Sequence, residues 1–341
     1  MTIKMTNLKQ AVKTGVSTLL ILATGSSLAM SKTKFEWDAT ESAPKHYPMK
    51  IIDGTFVYRG ETDTGLYIPS GGNLKAGWGN PISSHVTGAQ FKPLPDRLKI
   101  IFFSYSEKQF YKGDFALPYD TILSLFRDGI AADEDNPIYS RIMAGIAPGG
   151  AVAVWVTGAK TTEVFFGHAE KIELDPSVAF RVPFESKQES DNYTRKVLEG
   201  LLNSEELESI KKDGAPFGLW ARYRNRYDWT ATFTQGPPAH AHAIFVNGEY
   251  EREWSLAGNV KQNTAYPVPL RLNFYSMVQE QKVLYTVTFD EFETMAAFER
   301  LGAGGKKVYL EFEPRIPRSD IKARLYNDKE SIELKKFVSK K

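Results

Sequence analysis

The sequence predicts an α+β fold of two tandem, similar modules, each an antiparallel β-sheet with one main amphipathic helix packed on a face. Three observations predict it: aromatic residues make up 13% of the 341 residues, apolar strands and one helix recur in the same order, and cysteine is absent. Aromatic side chains fit the half-buried faces of sheets. Without cysteine, the modules hold together through packing and hydrogen bonds rather than disulfides or thiolate metal sites.

The amino terminus predicts export. Residues 1–29 carry three lysines and no acid, then an apolar stretch over 16–23, and end on small residues at Ser27 and Ala29. This pattern is typical of a secretory signal peptide cleaved after Ala29, and the apolar run is short for a ~30 Å hydrocarbon core. A retained membrane anchor is the alternative. We expect a periplasmic protein with no integral membrane segment after signal removal.

The balance of basic and acidic residues limits which partners the protein attracts by charge alone. Without the leader the chain holds 40 basic and 41 acidic residues. Such a near-neutral protein has no general attraction for nucleic acid.

An internal repeat organises the body of the chain. Residues 97–105 (RLKIIFFSY) and 269–276 (PLRLNFYS) alternate apolar and polar positions at the period of a strand. Each is followed by a second strand and then by an amphipathic helix, expected over 118–128 in the first copy and 290–301 in the second. A helix laid over an antiparallel sheet buries the apolar faces of both, which favours α+β over a parallel α/β fold.

Further details match between the two copies. Each helix reaches a glycine, Gly129 or Gly302, where a left-handed C-terminal residue is expected. The helix stripes that align are Tyr119, Ile122 and Leu125 with Phe292, Met295 and Phe298. The strands that align are 151–156 with 306–312, each after Gly-Gly, and, less closely, 50–60 with 229–236.

The predicted organisation has four parts: a signal peptide (1–29), a first α+β module (30–187), a helical connector (188–215) and a second α+β module (216–341). Apolar residues at helical spacing and a capped start near Ser204 predict two helices in the connector.

The sequence contains none of the common catalytic or cofactor motifs, so no catalytic residue, cofactor or metal is predicted. His240 and His242 would share one face of a strand and could form half of a zinc or copper site, but no third ligand is evident and surface histidines are favoured. The acidic residues 133–135 lack the alternating ligands and glycine turn of a calcium loop.

The most unusual segment combines arginine with aromatic residues, the types enriched at binding hot spots. Its candidate binding residues are Trp220, Arg222, Tyr223, Arg224, Arg226, Tyr227 and Trp229. On a strand, the three arginines would share one face. The alternative is a solvated arginine face paired with acids such as Glu249, Glu251 and Glu253.

Several short segments resemble a known family: SAPKHYP (42–48), LPDRL (94–98), FSY (103–105), FYKG (110–113), LPY (117–119) and GIAPGG (145–150). Together they are similar to an uncharacterised proteobacterial family described as lipoproteins of unknown function, mainly over 40–230. The resemblance implies an envelope location. It also implies that members are encoded beside phospholipase effectors of type VI secretion and act as immunity proteins. It supplies no catalytic residues, and this chain has no cysteine to carry a lipid.

These observations predict a non-enzymatic periplasmic binding protein, an immunity protein that occludes a secreted phospholipase-type toxin. Two alternatives stay open. An envelope hydrolase would use scattered carboxylates, and a pocket lined by two carboxylates of raised pKa would favour it. A small-ligand or glycan-binding protein would use the cleft between the two modules.

Overall fold

The computed structural model describes residues 33–83, 86–132, 137–234, 241–251, 265–278, 281–314 and 321–340. The predicted signal peptide lies outside these residues, as do the acidic residues 133–135, His240 and Glu253. Within the described ranges, no helix is both long and apolar enough to cross a membrane.

The first half of the molecule (34–172) is mostly strand, with one long helix. Its strands are β1 (Lys34–Glu36), β2 (Asp38–Ser42), β3 (Met49–Tyr58), β4 (Gly65–Tyr67), β5 (Phe91–Pro93), β6 (Pro95–Ser104), β7 (Gln109–Ala116), β8 (Tyr139–Ala147), β9 (Ala151–Gly158), β10 (Thr161–His168) and β11 (Glu170–Ile172). Helix α1 (Tyr119–Ala132) begins directly after Pro118, which suits a first helical turn.

Four helices connect the halves, and two of them lie over the predicted connector. They are α2 (Pro176–Phe180), α3 (Lys187–Leu201), α4 (Ser204–Asp213) and α5 (Leu219–Arg222). Asn203 and Glu206 form a capping box at the start of α4, in which each side chain bonds the other residue's backbone N–H.

The second half (226–340) repeats the mixture of strands and one helix. Its strands are β12 (Arg226–Tyr227), β13 (Trp229–Phe233), β14 (Ala241–Phe245), β15 (Tyr250–Glu251), β16 (Tyr266–Pro267), β17 (Pro269–Val278), β18 (Gln281–Phe289), β19 (Val308–Pro314), β20 (Ile321–Tyr326), β21 (Ser331–Glu333) and β22 (Phe337–Lys340). Helix α6 (Glu291–Leu301) is capped by the preceding Asp290, whose carboxylate accepts a hydrogen bond from the Glu293 N–H.

The described strands form three larger sheets and two two-stranded ladders. The nine-stranded sheet has the order β2-β8-β9-β10-β15-β14-β17-β18-β22, the five-stranded sheet β11-β7-β6-β3-β4, and the four-stranded sheet β13-β19-β20-β21. Most neighbouring strands are antiparallel, which with the helices confirms the predicted α+β class.

The nine-stranded sheet runs through both halves, and each half builds a sandwich on it. The first core lies between β8–β9 and the five-stranded sheet, with Ile122 and Phe126 of α1 buried in it. The second core lies between β14–β17–β18 and the four-stranded sheet, with Met295 and Phe298 of α6 buried. Each half therefore contributes to two sheets, rather than to one sheet covered by a helix.

The strand pairings of the two halves follow the same order. β2 pairs with β8 in parallel, and β13 pairs with β19 in parallel. β3 pairs with the hairpin β6–β7, and β14 with the hairpin β17–β18. In each half the hairpin is followed by the long helix and a meander of three strands, β8–β10 or β19–β21.

The detailed matches predicted between the two halves need correction. By pairing, β13 is equivalent to β2 rather than to the strand at 50–60, and β19 is equivalent to β8 rather than to 151–156. Gly129 lies inside α1, and Gly302 has a φ of −85°, so neither takes the left-handed conformation. Phe126, four residues after Ile122, is buried in place of Leu125 because the helical period is 3.6 residues.

Candidate functional site

A cleft of about 500 Å³ lies where the two halves meet. The first half supplies the loops 44–47 and 76–80, and α5 supplies part of the lining together with Tyr223. The second half supplies Leu270 and Arg271 of β17 and the residues 288–292, which end β18 and begin α6. The volume is within the ~300–1,000 Å³ of small-molecule sites.

Aromatic side chains form the wall of the cleft. Trp220 is 2% exposed and makes a T-shaped contact with Tyr47, with ring centroids 6.1 Å apart. On its other side it packs on Trp78 at 6.3 Å. Phe292, in the first turn of α6, remains 54% exposed at the rim. The wall therefore offers rings held in place by the core, with the exposed side chain of Phe292 at the edge.

A carboxylate lies among these rings. Burial raises the pKa of Glu291, while a hydrogen bond from the Tyr223 hydroxyl and the charge of His46 lower it in part. Burial also raises the pKa of Tyr223, and the bond to Glu291 adds to this. The pKa of Tyr47 is raised by burial and by the negative charges of Glu291 and Asp213. Glu291 thus places negative charge in a poorly solvated position.

Other polar groups of the cleft have structural partners. His46 Nδ1 lies 2.6 Å from Glu206 Oε1. Arg271 Nε donates to Thr288 Oγ1 at 3.1 Å, and Asp290 Oδ1 accepts from the Glu293 N–H at 2.8 Å as the cap of α6. These bonds fix the rim of the cleft.

The sequence profile of the family described as "Protein of unknown function (DUF2931)" matches residues 23–218, more than half of the chain. The chain belongs to this family. No curated protein and no solved structure gives a significant match.

The DUF2931 match covers the first half and the helices α2 to α4, and ends just before α5. It therefore includes the cleft loops 44–47 and 76–80, whereas Trp220, Tyr223 and Glu291 lie beyond it. The predicted resemblance to an uncharacterised family is confirmed.

The arginine-rich segment does not form the single strand on which a shared arginine face depended. Gly218, with a φ of 79°, starts the helical turn of α5, and backbone bonds continue this turn to Asn225 before β12 begins. Glycine adopts a positive φ readily, and the helical turn that follows it takes Arg222 and Arg224 out of any strand. The three arginines then reach different elements: Arg222 bonds Glu299, Arg224 bonds Glu163, and Arg226 bonds Glu249.

Of the predicted binding residues, the cleft brings together only Trp220 and Tyr223. Trp229 is buried in the second core, and Tyr227 packs on Phe298 with ring centroids 5.6 Å apart. Arg226 pairs with Glu249, one of the acids that the alternative interpretation named.

A second acidic position with a shifted pKa lies outside the cleft lining. Burial raises the pKa of Glu163 to about 7, although Arg224 lowers it. Its side chain is 6% exposed, and Oε2 has no hydrogen-bond partner among the residues that the structure describes. Glu249 lies beside it and accepts a bond from the Glu163 N–H at 3.4 Å. The two shifted carboxylates, Glu163 and Glu291, do not share a pocket.

The described residues hold no cluster of three or more histidine or acidic side chains suited to a metal ion. His242 Nδ1 lies 3.1 Å from the Tyr250 hydroxyl. His168 is exposed at the end of β10.

Sequence reasoning missed Tyr47, Trp78 and Glu291. The sequence held a signal for Phe292, which belongs to the predicted apolar stripe of α6. Because it lies in the first turn of the helix, where the stripe leaves the core, it is an apolar side chain available to a site. Glu291 carried none, since acidic residues are common at helix starts.

Proposed function

We propose that this protein is a non-enzymatic binding protein whose cleft between the halves receives part of a partner. The observation that carries the proposal is a rigid aromatic wall around a poorly solvated carboxylate, the pattern of a few polar groups in an apolar pocket. Asp290 caps α6 and His46 pairs with Glu206, so these groups have structural tasks that favour binding over catalysis.

The finer proposal is that the partner is a secreted toxin of the phospholipase type, and that the protein is an immunity protein in the periplasm. The leader pattern of residues 1–29 and the family resemblance support this proposal. A stable toxin-blocking interface would bury at least ~1,200 Å², so the partner would cover the rim around the cleft as well as enter it.

Two matched variants test whether the cleft is the docking site. Phe292→Asp places a charge at the rim, while Phe217→Asp places one at a comparably exposed phenylalanine, 66% accessible, outside the cleft lining. The toxin encoded beside the gene is expressed in the periplasm together with each variant. We expect Phe292→Asp to lose protection and toxin capture, because a buried unpaired charge weakens an interface strongly. We expect Phe217→Asp to keep both.

Equal protection by both variants would remove the cleft from the proposal. Equal survival with and without the wild-type protein would remove the immunity role itself. Sequencing the amino terminus of the periplasmic protein tests export, with Met30 expected as the first residue.

The volume of the cleft also favours a second candidate, a small-ligand or glycan-binding protein. A ligand at 100 times its Kd adds ~2.7 kcal/mol to the free energy of unfolding. A thermal-shift screen of the purified protein against envelope sugars and lipid headgroups separates the candidates. A stabilising compound that Phe292→Asp no longer binds would support this function, and a flat screen would oppose it.

We also propose that the two halves are copies of one unit. The shared order of strand pairings supports this origin. The cleft would then have arisen where the second copy packed against the first.

A further inference from the structure

Glu291 is a carboxylate in the cleft without a cationic partner. Among the described residues it forms no ion pair, and His46, the basic group that acts on it, is held by Glu206. Its carboxylate interacts with the Tyr223 hydroxyl, which leaves further lone pairs of the carboxylate to accept bonds. A poorly solvated carboxylate is usually paired with a cation in a folded protein.

The charges of the cleft are separated by depth. Glu291 and the helix cap Asp290 are partly buried, whereas the lining cations Lys45, His46 and Arg271 are exposed. A group that enters therefore meets positive charge first and negative charge at the wall. This order suits a side chain with a cation at its tip and backbone carbonyl groups at its base.

The surrounding rings suit the same group. Tyr47, which senses the charge of Glu291, packs edge-on against Trp220 in the same cleft, and Phe292 is 54% exposed there. Aromatic faces attract cations, and they also bury the aliphatic stem that carries an ammonium or guanidinium group.

We propose that the cleft receives an arginine or lysine side chain of a protein partner, whose cationic tip pairs with Glu291 beside Tyr47 and Trp220. The proposal rests on the proposed function, because it names the group that the partner inserts.

The test compares two probes of the same shape. Nα-acetyl-arginine amide carries the charge, and Nα-acetyl-citrulline amide lacks it. Binding to the purified mature protein is followed by calorimetry and by tryptophan fluorescence, since Trp78 and Trp220 border the cleft. We expect the arginine probe to bind at least about tenfold more tightly, because a hydrogen bond to a charged group is worth more than a neutral one.

Three variants test whether Glu291 causes the preference for the arginine probe. Glu291→Gln keeps the size and the bond to Tyr223 and should weaken the arginine probe about tenfold, with citrulline unchanged. Glu299→Gln, on the same helix, removes an exposed pair with Arg222 and should change neither probe by more than about twofold. Tyr47→Ala should weaken both probes, because it removes part of the wall and no charge.

Thermal unfolding of each variant confirms that it is folded. Equal binding of the two probes, no binding of either, or an unchanged preference in Glu291→Gln would overturn the inference. These results leave the proposed function to be judged by Phe292→Asp and the toxin. If Phe292→Asp loses protection but the two probes bind equally, the cleft remains the proposed docking site and the proposal of a cationic side chain is wrong.

Discussion

The strands β9 and β20 hold equivalent places in the two halves, each second in a meander that follows the long helix. Every residue of β9 except Gly158 is buried, and its sequence AVAVWVTG is almost continuously apolar. In β20, only Ile321, Ala323 and Leu325 are buried, and they alternate with more exposed residues. Strands covered on both faces read as apolar runs, and strands covered on one face alternate.

The difference shows where the halves meet. Val152, Val154 and Val156 of β9 face the first core, while Ala153 and Trp155 belong to the second core. Trp155 Nε1–H donates to the Asn247 carbonyl of the second half at 3.0 Å. The back of the first half is thus an internal interface, whereas the equivalent face of the second half meets solvent. The cleft borders this interface, and its tryptophans are part of the same packing.

The largest expected effect is at Trp155. Trp155→Ala removes a fully buried indole, its bond to Asn247 and a T-shaped contact with Trp78 at 5.0 Å. We expect the free energy of unfolding to fall by about 3–5 kcal/mol. Arg324→Ala, on the outer face of β20, loses an exposed ion pair with Glu311. We expect this variant to change the free energy of unfolding by no more than about 0.5 kcal/mol.

Urea unfolding followed by far-UV circular dichroism measures both changes. Similar losses for Trp155→Ala and Arg324→Ala would mean that the back of β9 is no more an interface than the outer face of β20.

Local patterns made part of this fold predictable. The strand periods near Ile100 and Leu272 and the stripe of Met295 and Phe298 follow from neighbours along the chain, so the hairpins and the long helices were found. The joining of β10 to β15 depends on residues far apart in sequence, and no local pattern reports it. The same holds for Glu291, because only the packing of α6 against the first half turns a helix-start residue into a wall of the cleft.

A smaller effect is expected where the backbones of the two halves touch. Gly248 has a φ of 86°, and a Cβ there would lie 2.6 Å from the Cα of Gly79. Gly60 has a φ of 82°, and no described neighbour lies within 4 Å of the added atom. Gly60→Ala should cost about 1–2 kcal/mol through backbone strain alone. Gly248→Ala should cost about 1–3 kcal/mol more, because the halves must also move apart.

Thermal unfolding compares the two variants at matched concentration. If Gly248→Ala is no less stable than Gly60→Ala, the two halves can separate slightly without loss, and the cleft is not held rigidly.

The smallest effect is expected at the seam where β10 joins β15, with Thr161 opposite Tyr250. Burial raises the pKa of Glu163 to about 7, against an ordinary value of 4.5, even though Arg224 lowers it. Between these two pH values the folded state holds a proton that the unfolded state has released. Stability from this group is therefore present below pH 4.5 and is lost as pH rises through about 7.

Glu163→Gln isolates this effect, because other buried acids such as Glu41 and Glu291 also have raised pKa values and stay unchanged in the variant. From pH 8 to pH 5 the wild type should gain about 1–3 kcal/mol relative to Glu163→Gln, since one pKa unit is worth about 1.4 kcal/mol. Unfolding curves at several pH values measure the difference. A constant difference would mean that Glu163 stays ionised with Arg224 throughout, so that a permanent ion pair joins β10 to the turn before β12. The equivalent strand of the second half, β21, pairs only with β20 among the described residues and needs no such contact.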